Sequence, residues 1–370
     1  MTSDIIFLYS SNASGHAQAA KAINNAINNK IPELKTQLLD ASYFYPVLAP
    51  LVSNFYIEVI KKTPQIWDFL YDNPEVKKAT EEIRNLFNLI NITKLKKILV
   101  NYKPKVMVCT HAMPANVIAY WKRRDGVRGK LVCVITDHIA HSYWLHKEAD
   151  LFLVPNEETK SNFIRNGIHQ SKIYISGIPV DPSFSKKEEK HIARKFFGLN
   201  PEKFTILIMS GTSGIGPISE ILNSLTKTVL PVQYIVITGK NKKLYKKLKT
   251  DFKAVTKNIK IFKFIKNIST AMDASDLLIT KPGGLTTSEA IIKNLPMILV
   301  EPLPGQEQRN AMYLTRHKLA EKCDDINELP EIVRKIINDP VKAEKYKQRM
   351  KLFAKPDAAE ICAKKIIELC

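Results

Sequence analysis

Residues 276–290 read DLLITKPGGLTTSEA. A short apolar run closes at Lys281, Pro282-Gly283-Gly284 turns the chain, and a Thr/Ser/Glu-rich stretch opens the next segment. Continuous rather than alternating apolar character belongs to a strand of a parallel sheet covered on both faces. Thr286 and Thr287 are of the type that caps a helix, with Glu289 expected in its first turn. The stretch therefore reads as strand, turn, helix. The same handover recurs on both sides of it: FTILIMSG (204–211), YIVITG (234–239), 260–264 and MILVE (297–301). Nearer the start come DIIFLYS (4–10), KVMVCT (105–110), KLVCVIT (130–136), LFLVP (151–155) and 173–176, with helical stretches such as 15–30 between them. GIPVDPSFSKKEEK (177–190), rich in proline and charge, interrupts the alternation and reads as a linker. The expectation is an α/β chain of two doubly wound domains, each of about 150–180 residues.

Composition agrees. The chain has 370 residues, 45% hydrophobic and 25% charged, which excludes global disorder. Five scattered cysteines without a C-x-x-C pair argue against a disulfide framework or structural zinc and fit a reducing compartment. The opening MTSDIIFLYS carries Asp4 and only a brief apolar run, so it reads as a buried strand and not a signal peptide. No stretch reaches 18 apolar residues. Net charge is +20, of which residues 1–185 hold +6 and the remainder +14. Basic residues cluster at 94–105, 122–130 and 240–266. Without an RNP-type motif, zinc finger or basic heptad region, nucleic acid is disfavoured against an anionic membrane surface or a phosphorylated substrate. A compositional bias toward lysine stays open.

Residues 43–100 break the alternation: aromatic and aliphatic residues, Trp67 among them, stand between Lys and Asn. Core helices or an inserted helical flap meeting apolar acceptor or lipid both fit.

Four further loops carry chemistry. SSNASGH (10–16) joins the first strand to a helix, and places His16 where the helix dipole disfavours imidazolium, so that it can accept a proton. A packed turn fits as well. SGTSGIG (210–216) is a candidate anion cradle of Gly211, Thr212, Ser213 and Gly214, but matches no P-loop spacing. PGQEQRN (304–310) offers Gln306 and Glu307 to a polyhydroxyl ligand, or is a solvated loop. TDHIAHSYWLH (136–146) gathers Asp137 and three histidines, yet lacks the i, i+4 pairing of a zinc helix. No D-x-D triplet is present, so no metal or other cofactor is expected.

Taken together, SSNASGHAQAAKAI, TDHIAHSYWLH, SGIPVDPSF, SGTSGIG, TGKN, DLLITKPGGLTTSEA and PLPGQEQRNA resemble, in order and spacing, the family-28 glycosyltransferases. The branch they look most like is that of the diacylglycerol glycosyltransferases, both processive β-glucosyltransferases and monogalactosyldiacylglycerol synthases. One departure is Asn12-Ala13-Ser14-Gly15-His16, where the family's first loop is richer in glycine. The resemblance implies a GT-B architecture of two Rossmann-like domains facing across a cleft. Residues 1–182 would form the acceptor-binding domain with its insertion at 43–100, residues 183–355 the UDP-sugar domain, and 356–370 a helix returning to the first domain. It implies metal-free, inverting transfer of a hexose from a UDP-sugar, UDP-glucose before UDP-galactose, to 1,2-diacylglycerol, by a peripheral protein on the cytoplasmic face of the membrane. By the same resemblance Glu289 holds the ribose, Phe264 and Ile265 supply the backbone that reads uracil, and Gln306 and Glu307 hold the sugar. Gly283, Gly284, Leu285 and Thr286 join the 210–216 loop around the diphosphate. His16 is the first choice of base and Asp137 the second. Trp67, Lys122, Arg123, Arg124 and Trp144 are expected on the acceptor and membrane side, with the 240–266 run on a solvent face of lesser importance. The rival readings are a GlcNAc transferase acting on a polyprenyl-diphosphate acceptor, and a UDP-GlcNAc 2-epimerase-like enzyme.

Overall fold

A computed structural model describes residues 3–11, 14–44, 93–124, 127–228, 230–253 and 258–370. The 43–100 insertion and Trp67 therefore lie largely outside the described residues. The chain divides into two compact units. The first contains Met1–Asp181, Leu303–Arg309 and Asp357–Cys370; the second contains Pro182–Pro302 and Asn310–Pro356.

The first unit is built on six parallel strands: β1 (Ile5–Tyr9), β2 (Thr36–Asp40), β3 (Val106–Cys109), β4 (Lys130–Val134), β5 (Leu151–Val154) and β6 (Ile173–Ile175). Their order is β2-β1-β3-β4-β5-β6. Side chains of β1 alternate between two cores. Ile6 and Leu8 pack with helix α3 (Ala112–Arg124) and with helix α4 (Glu157–Arg165), the latter through Phe163. Ile5, Phe7 and Tyr9 pack with helix α1 (Gly15–Lys30) and the C-terminal helix α13 (Ala358–Ile367). Burial on both faces is why these strands are continuously apolar in sequence. Helix α2 (Thr93–Tyr102) precedes β3 and contributes Leu95 and Leu99 to the first core.

The second unit repeats the plan with β7 (Phe204–Met209), β8 (Val232–Ile237), β9 (Ile259–Phe262), β10 (Leu277–Thr280), β11 (Met297–Val300) and β12 (Glu321–Cys323). Its order is β12-β11-β10-β7-β8-β9, all neighbouring pairs parallel. Numbered from its own first strand this is 3-2-1-4-5-6, the Rossmann arrangement. Helices α6 (Ile218–Lys227), α7 (Lys242–Asp251) and α11 (Leu329–Asn338) cover one face of it. Strands β2 and β12 are edge strands that the reading of apolar runs misses; TQLLD and EKC carry polar residues because only part of each is buried. Among the described residues no helix is long and apolar enough to cross a membrane.

Candidate active site

In a doubly wound sheet, ligands gather at the carboxyl ends of the strands where the chain order reverses direction. In the first unit that point lies between β1 and β3, and His16 stands there at the start of α1. Ser14 caps that helix, its side chain accepting from the Ala17 amide. His16 Nδ1 lies 2.9 Å from the Thr110 carbonyl oxygen and 2.7 Å from Thr136 Oγ1. A carbonyl only accepts, so this geometry selects the tautomer with hydrogen on Nδ1 and leaves the lone pair on Nε2. The Thr110 hydroxyl in turn donates to the His16 carbonyl at 2.9 Å. Burial lowers the His16 pKa, while the Asp137 charge and the Thr110 bond pull it partly back. The ring is therefore neutral at pH 7, and the two candidate bases are electrostatic neighbours.

His111, not singled out from sequence, belongs to this cluster. Its ring meets that of His16 edge-on, with centroids 4.7 Å apart, and its Nδ1 accepts from the Met113 amide at 3.2 Å. Burial, followed by repulsion from His16 and His141, holds its pKa well below that of ordinary histidine. Asp40 steadies the loop after β1, accepting from the Ser11 amide at 3.1 Å and the Ser42 hydroxyl at 2.6 Å. The Asp137 loop is pinned through the His138 carbonyl, which accepts from Asn156 Nδ2 at 2.7 Å and Thr159 Oγ1 at 3.2 Å.

Two expectations for the acceptor side need correction. Trp144 is 1% exposed and packs in the core with α3, so its ring does not face lipid. Lys122 donates to the Gly129 carbonyl at 2.7 Å and pairs with Asp150 at 2.9 Å. Asp150 also receives Lys130 and the Leu131 amide. Arg123 faces Glu148 at 3.5 Å, and Arg124 donates to the Tyr120 hydroxyl at 2.6 Å. These three residues end α3, which runs antiparallel to the strands, so they lie at the opposite end of the sheet from His16. Lys122 and Arg123 thus meet the acids Asp150 and Glu148 at this corner of the unit, while Arg124 is held against the neutral Tyr120.

In the second unit the reversal falls between β7 and β10. The loops that follow these strands are 210–216 and 281–283, so the sheet brings the two glycine motifs together. The first loop is locked from several sides. The Ser210 hydroxyl donates to the Ile215 carbonyl at 2.5 Å, Asn241 Nδ2 to the Gly214 carbonyl at 3.2 Å, and the Lys240 amide to the Thr212 carbonyl at 2.9 Å. Gly214 has φ +63° and Gly239 +58°. A Cβ at Gly214 would strike the Thr238 carbonyl, and one at Gly239 would strike the Thr212 carbonyl. The loops after β7 and β8 thus interlock through these hydrogen bonds, at an approach that leaves no room for a Cβ at 214 or 239. Lys281 is buried beside them; a Cβ at Gly216 would lie 3.3 Å from its Cδ.

Helix α9 (Gly284–Ile292) starts earlier than the Thr286/Thr287 reading expects. Its cap is Gly283, with no side-chain cap bond. Thr287 and Ser288 instead bond backward, to the Gly283 and Gly284 carbonyls at 2.8 Å each. Glu289 consequently stands half-buried in the second turn, away from a capping-box position. The amides of Gly284, Leu285 and Thr286 open the helix without intrahelical acceptors, at the positive end of its dipole. A Cβ at Gly283 would meet nothing within 4 Å, so the approach to these amides is open. Phe264 and Ile265 follow β9 at the same end of the sheet; Phe264 is 46% exposed and Ile265 half-buried.

Gln306 and Glu307 do not sit in a solvated loop. They open helix α10 (Gln306–Arg316), where Glu307 accepts from the Leu303 amide at 2.9 Å. Both belong to the first unit, and Gln306 Nε2 donates to the Ile139 carbonyl at 2.6 Å. That contact ties Gln306 to the loop of Asp137. Among the described residues no group of three or more His, Cys, Asp or Glu is placed to hold a metal ion.

The two halves match separate family models. Residues 16–180 match monogalactosyldiacylglycerol (MGDG) synthase, and residues 205–364 match the glycosyltransferase family 28 C-terminal domain. The chain belongs to the family-28 glycosyltransferases. Within that family it falls in the diacylglycerol glycosyltransferase branch. It is similar to the processive diacylglycerol beta-glucosyltransferase of Bacillus thuringiensis (strain Al Hakam), 28% identical over 98% of this chain and 93% of the relative. The protein of the same name from Bacillus cereus (strain B4264) is also 28% identical, over 96% and 91%. Among solved structures, MurG of Acinetobacter baumannii superposes with TM-score 0.64 at 13% identity, over 99% of both chains. Anabaena Alr3699/HepE in complex with UDP-glucose superposes with TM-score 0.59 at 17% identity, over 98% of both. These likenesses support the fold, GT-B with two Rossmann-like domains. This glycosyltransferase is a UDP-sugar-dependent hexosyltransferase.

Proposed function

We propose that this glycosyltransferase moves glucose from UDP-glucose to the free hydroxyl of 1,2-diacylglycerol with inversion at the anomeric carbon, and docks peripherally on the cytoplasmic face of the membrane to reach that acceptor. The observation that carries the proposal is the placing of each motif at its own sheet's reversal point: a neutral histidine with a free Nε2 lone pair in the first unit, and two glycine loops with an open helix start in the second. The names of the full-length relatives support the acceptor and the sugar.

Inversion by direct displacement needs one base and a stabilised leaving group. His16 Nε2 takes the acceptor's hydroxyl proton as that oxygen bonds to the anomeric carbon. Nδ1–H, held by the Thr110 carbonyl, stays in place and shares the charge of the imidazolium formed. Asp137 stabilises that charge. The carbon–oxygen bond to UDP breaks, and the negative charge on the diphosphate is met by the amides of Gly284, Leu285 and Thr286, with Gly211, Thr212, Ser213 and Gly214 opposite. Glu289 accepts from the ribose, and the backbone of Phe264 and Ile265 meets uracil. Gln306 and Glu307 serve the sugar hydroxyls.

The test offers radiolabelled UDP-glucose, UDP-galactose and UDP-GlcNAc with diacylglycerol vesicles and, separately, with a polyprenyl-diphosphate acceptor. The expected product is β-glucosyldiacylglycerol. Label found only on the polyprenyl acceptor, or UDP released without any lipid acceptor, would overturn the reading.

A further inference from the structure

His111 lies just beyond β3 and immediately before α3, and its Nδ1 accepts from the Met113 amide at 3.2 Å. That is the bond by which an N-cap side chain satisfies an amide of the first helical turn. Burial and the two neighbouring histidines, His16 and His141, keep the ring neutral at pH 7. A neutral imidazole whose Nδ1 accepts carries its hydrogen on Nε2. His16 has the opposite tautomer, with hydrogen on Nδ1 and the lone pair on Nε2. The two ring centroids are 4.7 Å apart. The reversal point between β1 and β3 therefore presents one accepting and one donating ring in edge-on contact. His111 is half-buried, and its Nε2 has no partner among the described residues and is not one of the buried polar atoms sealed in without one. That hydrogen is open to a ligand. With its one lone pair engaged by Met113, His111 cannot serve as a second base.

We propose that His111 Nε2–H donates to the sn-2 ester carbonyl of the acceptor glyceride, turns its free hydroxyl toward His16 Nε2, and makes the site selective for acyl glycerides over their ether counterparts. This role rests on the diacylglycerol acceptor proposed above and deepens it. Diacylglycerol has a single hydroxyl, and its other strong acceptors are its two ester carbonyls. A donor on the attacking oxygen would hold back the electron pair that must bond to the anomeric carbon, so the productive partner is a carbonyl. That of the sn-2 ester is nearer the free hydroxyl along the glycerol, and contact between the two rings puts both oxygens within reach of one glycerol unit. Fixing a second point on the acceptor also turns proximity into alignment, since a hydroxyl on an otherwise unheld glyceride could meet His16 from many directions. A site blind to the ester would instead leave the Nε2–H unpaired against hydrocarbon once the acceptor excludes water.

The experiment measures glucose transfer from UDP-glucose, by the full-length protein in neutral detergent micelles, to 1,2-diacylglycerol and to the 1-acyl-2-O-alkyl analogue that lacks only the sn-2 carbonyl. Wild type is expected to favour the diacyl acceptor by about 2–12-fold in kcat/KM, the worth of one hydrogen bond. Two variants separate the donor from the cap. H111Q keeps an N–H where Nε2 stood and gives up the bond from Met113; H111N keeps an acceptor where Nδ1 stood and gives up the donor. H111Q should retain the preference and H111N should lose it, with UDP affinity by calorimetry the same in both as in wild type. The preference is a ratio within each protein, so a variant that is slower or less stable still reports it, and the wild-type arm needs no variant. Preference retained by H111N and lost by H111Q would overturn the proposal and leave His111 a helix cap. Equal use of the two acceptors by wild type would overturn it as well, while the assigned reaction stands. Transfer to neither glyceride would overturn the assigned reaction and this role together.

Discussion

The interlocked loops of the second unit allow two alanine substitutions with opposite consequences. Gly214 has φ +63°, and a Cβ there would lie 2.8 Å from the Thr238 carbonyl carbon, 3.1 Å from Asn241 Cβ and closer still to the Thr238 oxygen. Left-handed backbone costs a residue with a side chain about 1–2 kcal/mol. Forcing backbone apart in a packed site adds about 1–3 kcal/mol. Gly214→Ala should therefore destabilise by roughly 2–5 kcal/mol, which for a unit of this size lowers the melting temperature by roughly 4–20 °C. Gly283 has φ −68° and nothing within 4 Å of the Cβ position. Gly283→Ala should leave stability within about 1 kcal/mol of wild type, because relief of unfolded-state entropy offsets a slightly poorer cap. If the proposed cradle holds, however, the added methyl group intrudes on the space beside the α9 amides that the diphosphate would enter. Loss of one charge-assisted hydrogen bond costs about 1.5–3 kcal/mol, so UDP affinity should fall roughly 10–150-fold. Circular dichroism melts and calorimetric UDP titrations of the two variants provide both readings. Undiminished UDP affinity in Gly283→Ala would refute the assignment of the cradle, and an unchanged melt of Gly214→Ala would refute the interlock.

Replacing His16 by Gln should reduce transfer about 100–10,000-fold while UDP binding to the second unit is unchanged; more than half of wild-type turnover would pass the base role to Asp137. Thr136→Val removes the hydroxyl 2.7 Å from His16 Nδ1 and should lower kcat and displace the acidic limb of the pH–rate profile without altering KM for the donor; an unchanged profile would show that Thr136 only packs. Since burial depresses the pKa values of His16 and His111 below histidine's ordinary 6.5, their contribution to stability is complete above about pH 6.5 and is lost as pH falls through the depressed values. Urea midpoints measured downward from pH 7 should decline, and a level series to pH 5 would contradict the buried neutral pair. Turnover should persist in excess EDTA, because the proposed site gives helix and loop amides to the diphosphate; a loss reversed by Mg²⁺ would show otherwise.

The doubly wound fold was legible because strands buried on two faces must be apolar throughout, as in IIFLY of β1 and LLIT of β10. The turns after β7 and β10, where the candidate site was read, were legible for a related reason. Glycine, serine and threonine crowd where the backbone must turn tightly between strand and helix, so 210–216 and 282–288 stand out in a chain with 13 glycines. The edge strands β2 and β12 were not legible, since partial burial leaves no continuous apolar run. Nor was the start of α9, because a glycine cap is a matter of backbone angle and threonines inside the helix look the same as threonines at its end.

Partners across the sheet lie further beyond local reading. His16 owes its tautomer to Thr110 and Thr136, 94 and 120 residues away, and only the strand order β1-β3-β4 brings them together. Lys122 and Lys130 look like membrane-facing charge until β5 delivers Asp150 between them. The lysines of 240–266 look like the same kind of run, yet the fold sets them on a helix face and beside an edge strand with no described acid to pair with. A basic run in sequence states how much charge is present. Which of it is neutralised depends on which acids the topology places within a few ångströms, and a one-dimensional chain carries no distances between its distant parts.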